Sequence, residues 1–349
     1  MTDHIETDIA RSQIALSEPE HAVDDLVPGA LADDVGALDA AEGLDVRGLS
    51  PARLAWKRYW RHKGAAACTI IMGILVVIVF ATPITARYGI NEQVRDIREG
   101  NNVFLKPQSI AWFGTDNIGR DLYSRLLVGI RTSLIIGVTS AVLSVLIGTT
   151  VGAFAGLRGG RFDNLVMRVT DLFLAFPFIV AVIIVREFLG GLEWLTPVIG
   201  EKTSLRFIVV LFAVFGWMVV ARLVRSQVLA LKEREFVEAA RAVGASNFRI
   251  VVTHLLPNAI GPIIVALTLS VIAAIVGEST LAFFGFGPQP GADSTSLGKL
   301  VELSADGAKQ GNWWLVVFPC GALVLLAICI NFIGDGLRDA FDPKLDGNR

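Results

Sequence analysis

Long stretches without a formal charge dominate the pattern along the chain. Four of them, residues 64–85, 132–157, 255–277 and 312–334, each run past 20 residues. A bilayer core of about 30 Å takes about 20 helical residues at 1.5 Å each, so every one predicts a transmembrane helix. Two further stretches, 172–185 and 207–221, are shorter, and alone would reach only about 21–23 Å. They cross only if polar flanks extend the helix, with Arg168, Asp171, Arg206 and Arg222 at the ends or facing protein. The pattern therefore predicts an all-α polytopic membrane protein with six transmembrane helices. Four spans with a buried helical hairpin is the plainest alternative. Phe176-Pro177 interrupts the third span and Pro262 the fifth, and the missing backbone bonds permit kinks.

Composition agrees. The chain is 53% hydrophobic and only 18% charged, against roughly a quarter charged in soluble domains, which argues against a soluble enzyme. The net charge of −2 hides two opposite parts. Residues 1–50 hold 12 Asp and Glu against Arg11 and Arg47, with no Trp, Phe or Tyr. Such a segment buries too little apolar area to offset the entropy of ordering, so it is expected to be a disordered acidic tail. Its acidic start lacks the apolar core of a signal peptide. Residues 51–63 then interleave Arg53, Lys57, Arg58, Arg61 and Lys63 with Trp56, Tyr59 and Trp60. That mixture suits an amphipathic interfacial helix at an anionic cytoplasmic leaflet. The basic collar places the N-terminus inside. From Arg53 onward, 17 basic residues then fall on the cytoplasmic side and 12 outside. The first span and an external loop occupy 64–131, the core transmembrane domain 132–337, and a cytoplasmic C-terminus 338–349. Cys68, Cys320 and Cys329 lie in apolar stretches without metal-ligand spacing and read as small hydrophobes.

One cytoplasmic segment is unlike an ordinary connection. Residues 231–257 are far longer than the usual two to eight between helices. Phe236, Ala239, Ala240 and Val243 fall at i, i+3, i+4 and i+7, which is one apolar helical face. Gly244 is placed to end that helix in a left-handed cap. A second helical run over 245–254 leads to Pro257, expected in the first turn of the fifth span. Small alanines on the surface allow another protein to approach closely. Periodicity alone fits equally well an elbow that packs only on its own bundle.

The same segment carries a resemblance. Glu238-Ala239-Ala240, Gly244 and Leu256-Pro257 reproduce the spacing of the EAA motif of ATP-binding-cassette (ABC) importer permeases, with His254 where Ile is usual, as in the peptide branch. Phe113-Gly114-Thr115-Asp116 with Gly119-Arg120-Asp121 and Ser124-Arg125 resembles that branch's FGTDxxGRDxxSR stretch. Gly277-Glu278-Ser279 through Gly285-Phe286-Gly287, and Gly334-Asp335-Gly336-Leu337-Arg338-Asp339 with Asp342-Pro343, resemble two more of its signatures. Ser296-Leu297-Gly298 stands where the family commonly has Ser-Trp-Gly. The chain thus resembles the C-type permease subunit of dipeptide/oligopeptide/nickel importers over residues 51–349.

The resemblance implies a type I ABC importer permease fold with a cytoplasmic coupling helix, in a bacterial or archaeal inner membrane with both termini cytoplasmic. It implies four kinds of partner: a homologous B-type permease, two ABC ATPase subunits or one fused ATPase, an external solute-binding protein, and membrane lipid, with no nucleic acid. The implied cargo is a peptide, with nickel chelates or oligosaccharides carried by near relatives. The chain has no GxxxxGK[ST] phosphate loop, so no cofactor is expected on it; ATP and Mg²⁺ belong to the partner ATPases. No catalytic site is assigned, and the chain is not expected to be an enzyme. Glu238, Ala239, Ala240, Gly244, Leu256 and Pro257 are the expected ATPase-coupling residues. Glu278, Pro177 and Asp171 are candidates for the translocation path or its gate. For Glu278 the sequence leaves open a capping role on the following turn, and for Asp171 an ion pair with Arg168 one turn away. An ion-coupled secondary transporter is the alternative of a different class. It requires a midplane carboxylate site and internal repeats, which the sequence does not convincingly show.

Overall fold

The computed structural model describes residues 51–94, 103–201, 203–287 and 295–341. The acidic segment 1–50 lies outside them, as do Asp342 and Pro343. A short helix, α1 (Pro51–Arg61), is followed by α2 (Lys63–Phe80), which starts at His62, whose ring nitrogen accepts the Ala65 N–H at 3.0 Å. Asp121 caps the 37-residue α3 (Leu122–Arg158) through Ser124 N–H at 2.8 Å. Gly159, at φ +64°, ends α3 and starts α4 (Gly160–Leu174). After Pro177 comes α5 (Phe178–Gly190), then α6 (Leu205–Leu231), capped by Ser204, and the short α7 (Glu235–Ala242). The chain re-enters as α8 (Ile260–Phe283), is covered by α9 (Leu297–Lys309), and closes with α10 (Trp314–Phe341).

Five of these, α2, α3, α6, α8 and α10, are long and apolar enough to cross a membrane. The third expected span is a bent pair instead: α4 and α5 meet at 100° across residues 175–177. Counted as one span, the pair makes six. Pro177 sits at the N-terminal cap of α5 and has no N–H to continue α4, and it disfavours helix at Phe176 before it. The result is a break rather than a kink. Pro262, by contrast, falls in the first turn of α8, where no intrahelical bond is lost, and the interruption lies just before it, at Ala259. Instead Pro319 lies inside α10.

The helices also run beyond the uncharged stretches, because the charges at their ends are paired. Arg225 of α6 grips Asp163 of α4 with two bonds, Nε to Oδ1 and Nη2 to Oδ2 at 2.6 Å. Arg222 pairs with Asp171. The Arg168–Asp171 pair expected along α4 gives way to this partner on the helix lying alongside. At the outer end, Asp116 collects Arg120 Nε at 2.7 Å and Arg125, a guanidinium buried in the first turn of α3. Thr115 accepts the Trp314 indole N–H on its carbonyl at 3.1 Å, and Ser124 Oγ accepts the Arg87 and Tyr88 N–H groups. Burial raises the Asp121 carboxyl above its ordinary range, against the opposing pull of its hydrogen bonds from Ser124. The stretch from Phe113 to Arg125 is thus a clasp that ties the end of α2 and the start of α10 to the head of α3.

The most extensive helix pairing is α3 with α6. Gly148, Gly152 and Gly156, spaced by four, line the α3 face of the crossing. A Cβ at Gly152 would come within 2.3 Å of the Ala221 carbonyl, and one at Gly148 within 2.6 Å of the Trp217 carbonyl. Small residues at such a spacing let two backbones touch where lipid offers no hydrophobic drive for association. Cys68 and Cys329 meet between α2 and α10, consistent with their reading as small packing residues.

Gly152→Leu is expected to destabilise the purified protein by at least about 1–3 kcal/mol, the usual cost of overpacking. Gly73→Leu, where a Cβ would meet nothing described within 4 Å, should leave stability unchanged. Thermal unfolding in detergent checks both.

Candidate functional site

The cytoplasmic segment is built on a single buried anchor. Val237 of α7 is fully buried in a cluster that holds Ile250, Val251 and Leu255 of the following turns and Val220, Val224 and Val228 of α6. Ala240, one turn on, packs on the same cluster, as do Ala245 and Leu256. Glu238 and Ala239 point outward, and so do Phe236 and Val243, the latter 90% exposed. The apolar face expected from the sequence is therefore split: Ala240 turns in, Ala239 and Val243 form an exposed surface, and Phe236, partly exposed, lies 6.5 Å from the His254 ring. Apolar residues stand at 236, 237, 239, 240, 242 and 243, so two faces satisfied the helical period. Only packing into this cluster chooses between them. Val237 was the residue periodicity missed.

Gly244 ends the helix at φ +82°. Its N–H reaches the Arg241 carbonyl at 2.9 Å, and Ala245 N–H reaches that of Ala240 at 3.0 Å. These are the two bonds of a Schellman cap, which satisfies carbonyls the helix leaves free. Ser246 caps the next turn through Arg249 N–H at 3.3 Å, and Phe248 stacks on Phe154 at the cytoplasmic end of α3. Residues Ile250–Leu255 then form a π-helix, closed by the Leu256 N–H on the Val251 carbonyl. Pro257 follows in the one-turn piece Leu256–Asn258, before α8 begins, rather than in the first turn of the span itself. A proline deprives the preceding turn of one bond, and the wider π turn accommodates that loss. Asn258 helps by donating its side-chain amide to the His254 carbonyl at 2.7 Å.

The three candidates for the path lie in two places. Asp171 and Pro177 are both exposed, Asp171 on α4 and Pro177 at the break, beside the exposed Leu172, Phe173 and Phe176. Glu278 is elsewhere and wholly buried near the outer end of α8. Its Oε2 accepts the Ser133 hydroxyl of α3 at 2.9 Å, and Ser133 Oγ in turn accepts the Leu297 N–H at 3.1 Å. Its Oε1 faces Gly298, where a Cβ would come within 2.9 Å. Gly129 of α3 makes a similar close approach to the Ser296–Leu297 backbone. The carboxylate thus sits at the N-terminus of α9, where unpaired N–H groups favour negative charge. The cap of α9 itself is Ser296, through Lys299 N–H at 3.1 Å, so Glu278 stands as a carboxylate buried where α3, α8 and α9 meet. Leu297, at the position where Trp is common, fills the core between α3 and α9.

Residues 148–347 match the family model of the binding-protein-dependent transport system inner membrane component. The chain belongs to that family. Residues 50–107 match the N-terminal transmembrane domain of oligopeptide transport permease C. This permease is 37% identical over 305 residues to the dipeptide transport system permease protein DppC of Bacillus subtilis, covering 87% of this chain and 89% of that one. It is 38% identical over 292 residues to the oligopeptide transport system permease protein OppC of Mycobacterium tuberculosis H37Rv, covering 83% and 94%. Its fold resembles the inward-facing MetNI methionine ABC transporter, with a TM-score of 0.50 at 24% identity, over 62% of this chain and 97% of that chain. The permease is thus a multi-pass inner-membrane protein of the type I importer fold, as the motifs implied.

Gly244→Val has open space around it but a backbone that L side chains avoid, at a cost of about 1–2 kcal/mol. Hydrogen exchange over residues 231–257 should therefore rise while the global unfolding temperature holds. Gly244→Asn should remain close to wild type, since Asn tolerates this region. Unchanged exchange in Gly244→Val would show that the cap does not hold α7.

Proposed function

We propose that this permease forms half of the translocation pathway of an ATP-driven importer of peptides. It pairs with a homologous B-type permease, takes cargo from an external solute-binding protein, and is driven by two ABC ATPase subunits that bind the ATP and Mg²⁺. The carrying observation is α7: one buried anchor, a closed Schellman cap, and an exposed face of Ala239 and Val243, flanked by a partly exposed Phe236. An elbow serving only its own bundle would turn that face inward. Glu238, Ala239, Ala240, Gly244, Leu256 and Pro257 form the coupling element, with Ala240 and Leu256 seating it and the others presenting it. The relatives named for dipeptide and oligopeptide transport support a peptide as cargo. The basic collar supports cytoplasmic termini. The exposed Asp171–Arg222 pair and the break at Pro177 lie on a face open to the pathway or the second permease, since charges within spans avoid lipid.

Proteoliposomes holding both permeases and the ATPases, supplied with loaded binding protein, test this reading. Uptake of a labelled di- or oligopeptide should require internal ATP and be indifferent to a protonophore. Gly244→Val should lower binding-protein-stimulated ATP hydrolysis by about 5–30-fold, the factor that about 1–2 kcal/mol of strain carries. Ala239→Asp should do so without altering the fold, because Ala239 is exposed. Uptake driven by a proton gradient without ATP, or full stimulation in both variants, would overturn the proposal.

A further inference from the structure

Helix α1 divides into three sectors, each an i, i+4 pair one residue apart. Ala55 and Tyr59 form the first and are buried against Ala65 of α2 and Ala340 of α10. Tyr59 lies so close to Gly336 that a Cβ there would come within 3.1 Å of the ring, and its hydroxyl hydrogen-bonds Thr69 of α2. The helix is therefore fixed to the protein. The second sector is Trp56 and Trp60, whose rings meet edge to face at 5.6 Å and are 64% and 39% exposed. The third is Lys57 and Arg61, both exposed, extended by Arg53 one turn before and by Lys63 at the start of α2. No acidic residue stands between positions 51 and 63. Asp339 of α10 approaches the stretch at its end, 4.0 Å from His62.

The outward stripe of α2 continues directly from this surface. Ile70, Ile74 and Val77, at i, i+4 and i+7, are 55%, 57% and 68% exposed, as expected of a span facing lipid tails. A pair of indoles beside a cationic row, attached to the first turns of such a span, matches the headgroup layer. Tryptophan partitions to that depth, and Lys and Arg are drawn to anionic headgroups within a Debye length.

We propose that α1 is a docking surface for anionic phospholipid headgroups, with Trp56 and Trp60 at the acyl boundary and Lys57, Arg61 and Lys63 on the phosphates. Because Ala55 and Tyr59 fasten α1 to the end of α10, the bound lipid is coupled to the bundle rather than to a free tether. The leaflet involved follows from the orientation proposed above, whereas the headgroup preference does not. A symmetric nanodisc therefore tests the preference whichever way the chain crosses.

The assembled transporter is placed in nanodiscs containing a trace of photoactivatable phosphatidylglycerol or photoactivatable phosphatidylcholine, and label on the peptide containing residues 51–63 is quantified. The anionic probe should label it severalfold more strongly than the zwitterionic one. The combined substitution Lys57→Gln, Arg61→Gln, Lys63→Gln should equalise the two probes. The charge-keeping set Lys57→Arg, Arg61→Lys, Lys63→Arg should retain the preference, which separates loss of charge from loss of fold. Equal labelling by both probes in the unaltered protein would overturn the proposal. So would a preference that emerges only after residues 2–46 are deleted, since that would assign the cationic row to the acidic segment.

Discussion

The contact between α3 and α6 is the constraint from which the other positions follow. Glycines at 148, 152 and 156 bring the two backbones into touch, and no side chain larger than hydrogen fits at the centre of the crossing. With that seam closed, α3 serves as a spine about 55 Å long at 1.5 Å per residue. At its outer end Gly129 and Ser133 receive α9 and Glu278. At its cytoplasmic end Phe154 meets Phe248, and the cluster around Val237 seats α7. One continuous helix therefore touches both α9 at one end and, through Phe248, the segment that we propose couples to an ATPase at the other. That is the kind of rigid connection through which two distant sites bias a common two-state element.

Charge within the membrane region follows a second rule. Arg225, Arg222 and Arg125 would each be costly in lipid, and each has a carboxylate from another part of the chain. The pairs differ in exposure. Asp163 and Asp116 are buried and hold helices together, whereas Asp171 is exposed with its partner. Removing one partner of a buried pair leaves an uncompensated charge, so the first two are fixed points.

Much of this architecture was legible because a bilayer imposes length and polarity together. The uncharged stretches located five of the spans, the third being a bent pair, and Gly244 was recognisable as a left-handed cap from its place after an apolar periodic run. What was not legible depended on contacts between distant segments. Asp171 had Arg168 within reach along its own helix, yet Arg222, some fifty residues later, took it. Helix α9 lay hidden in an external loop because its burial comes from α3, α8 and α10 rather than from a strong pattern of its own. The choice of Val237 over Phe236 as anchor, and the burial of Glu278 between α3 and α9, likewise came from neighbours no local window contains. The breaks at Pro177 and Pro257 were visible as prolines, but the 100° bend and the π turn were not.

The central claim is that the outward face of α7 is the surface a partner ATPase covers. Val243→Cys carrying a benzophenone probe measures it directly, because Val243 is 90% exposed and stands beside the Gly244 turn without supporting the fold. In the assembled transporter, illumination should join this permease to an ATPase subunit, and the yield should change between nucleotide-free and ATP-bound states. Crosslinks only within the permease, or none at all in an assembly that hydrolyses ATP normally, would contradict the account.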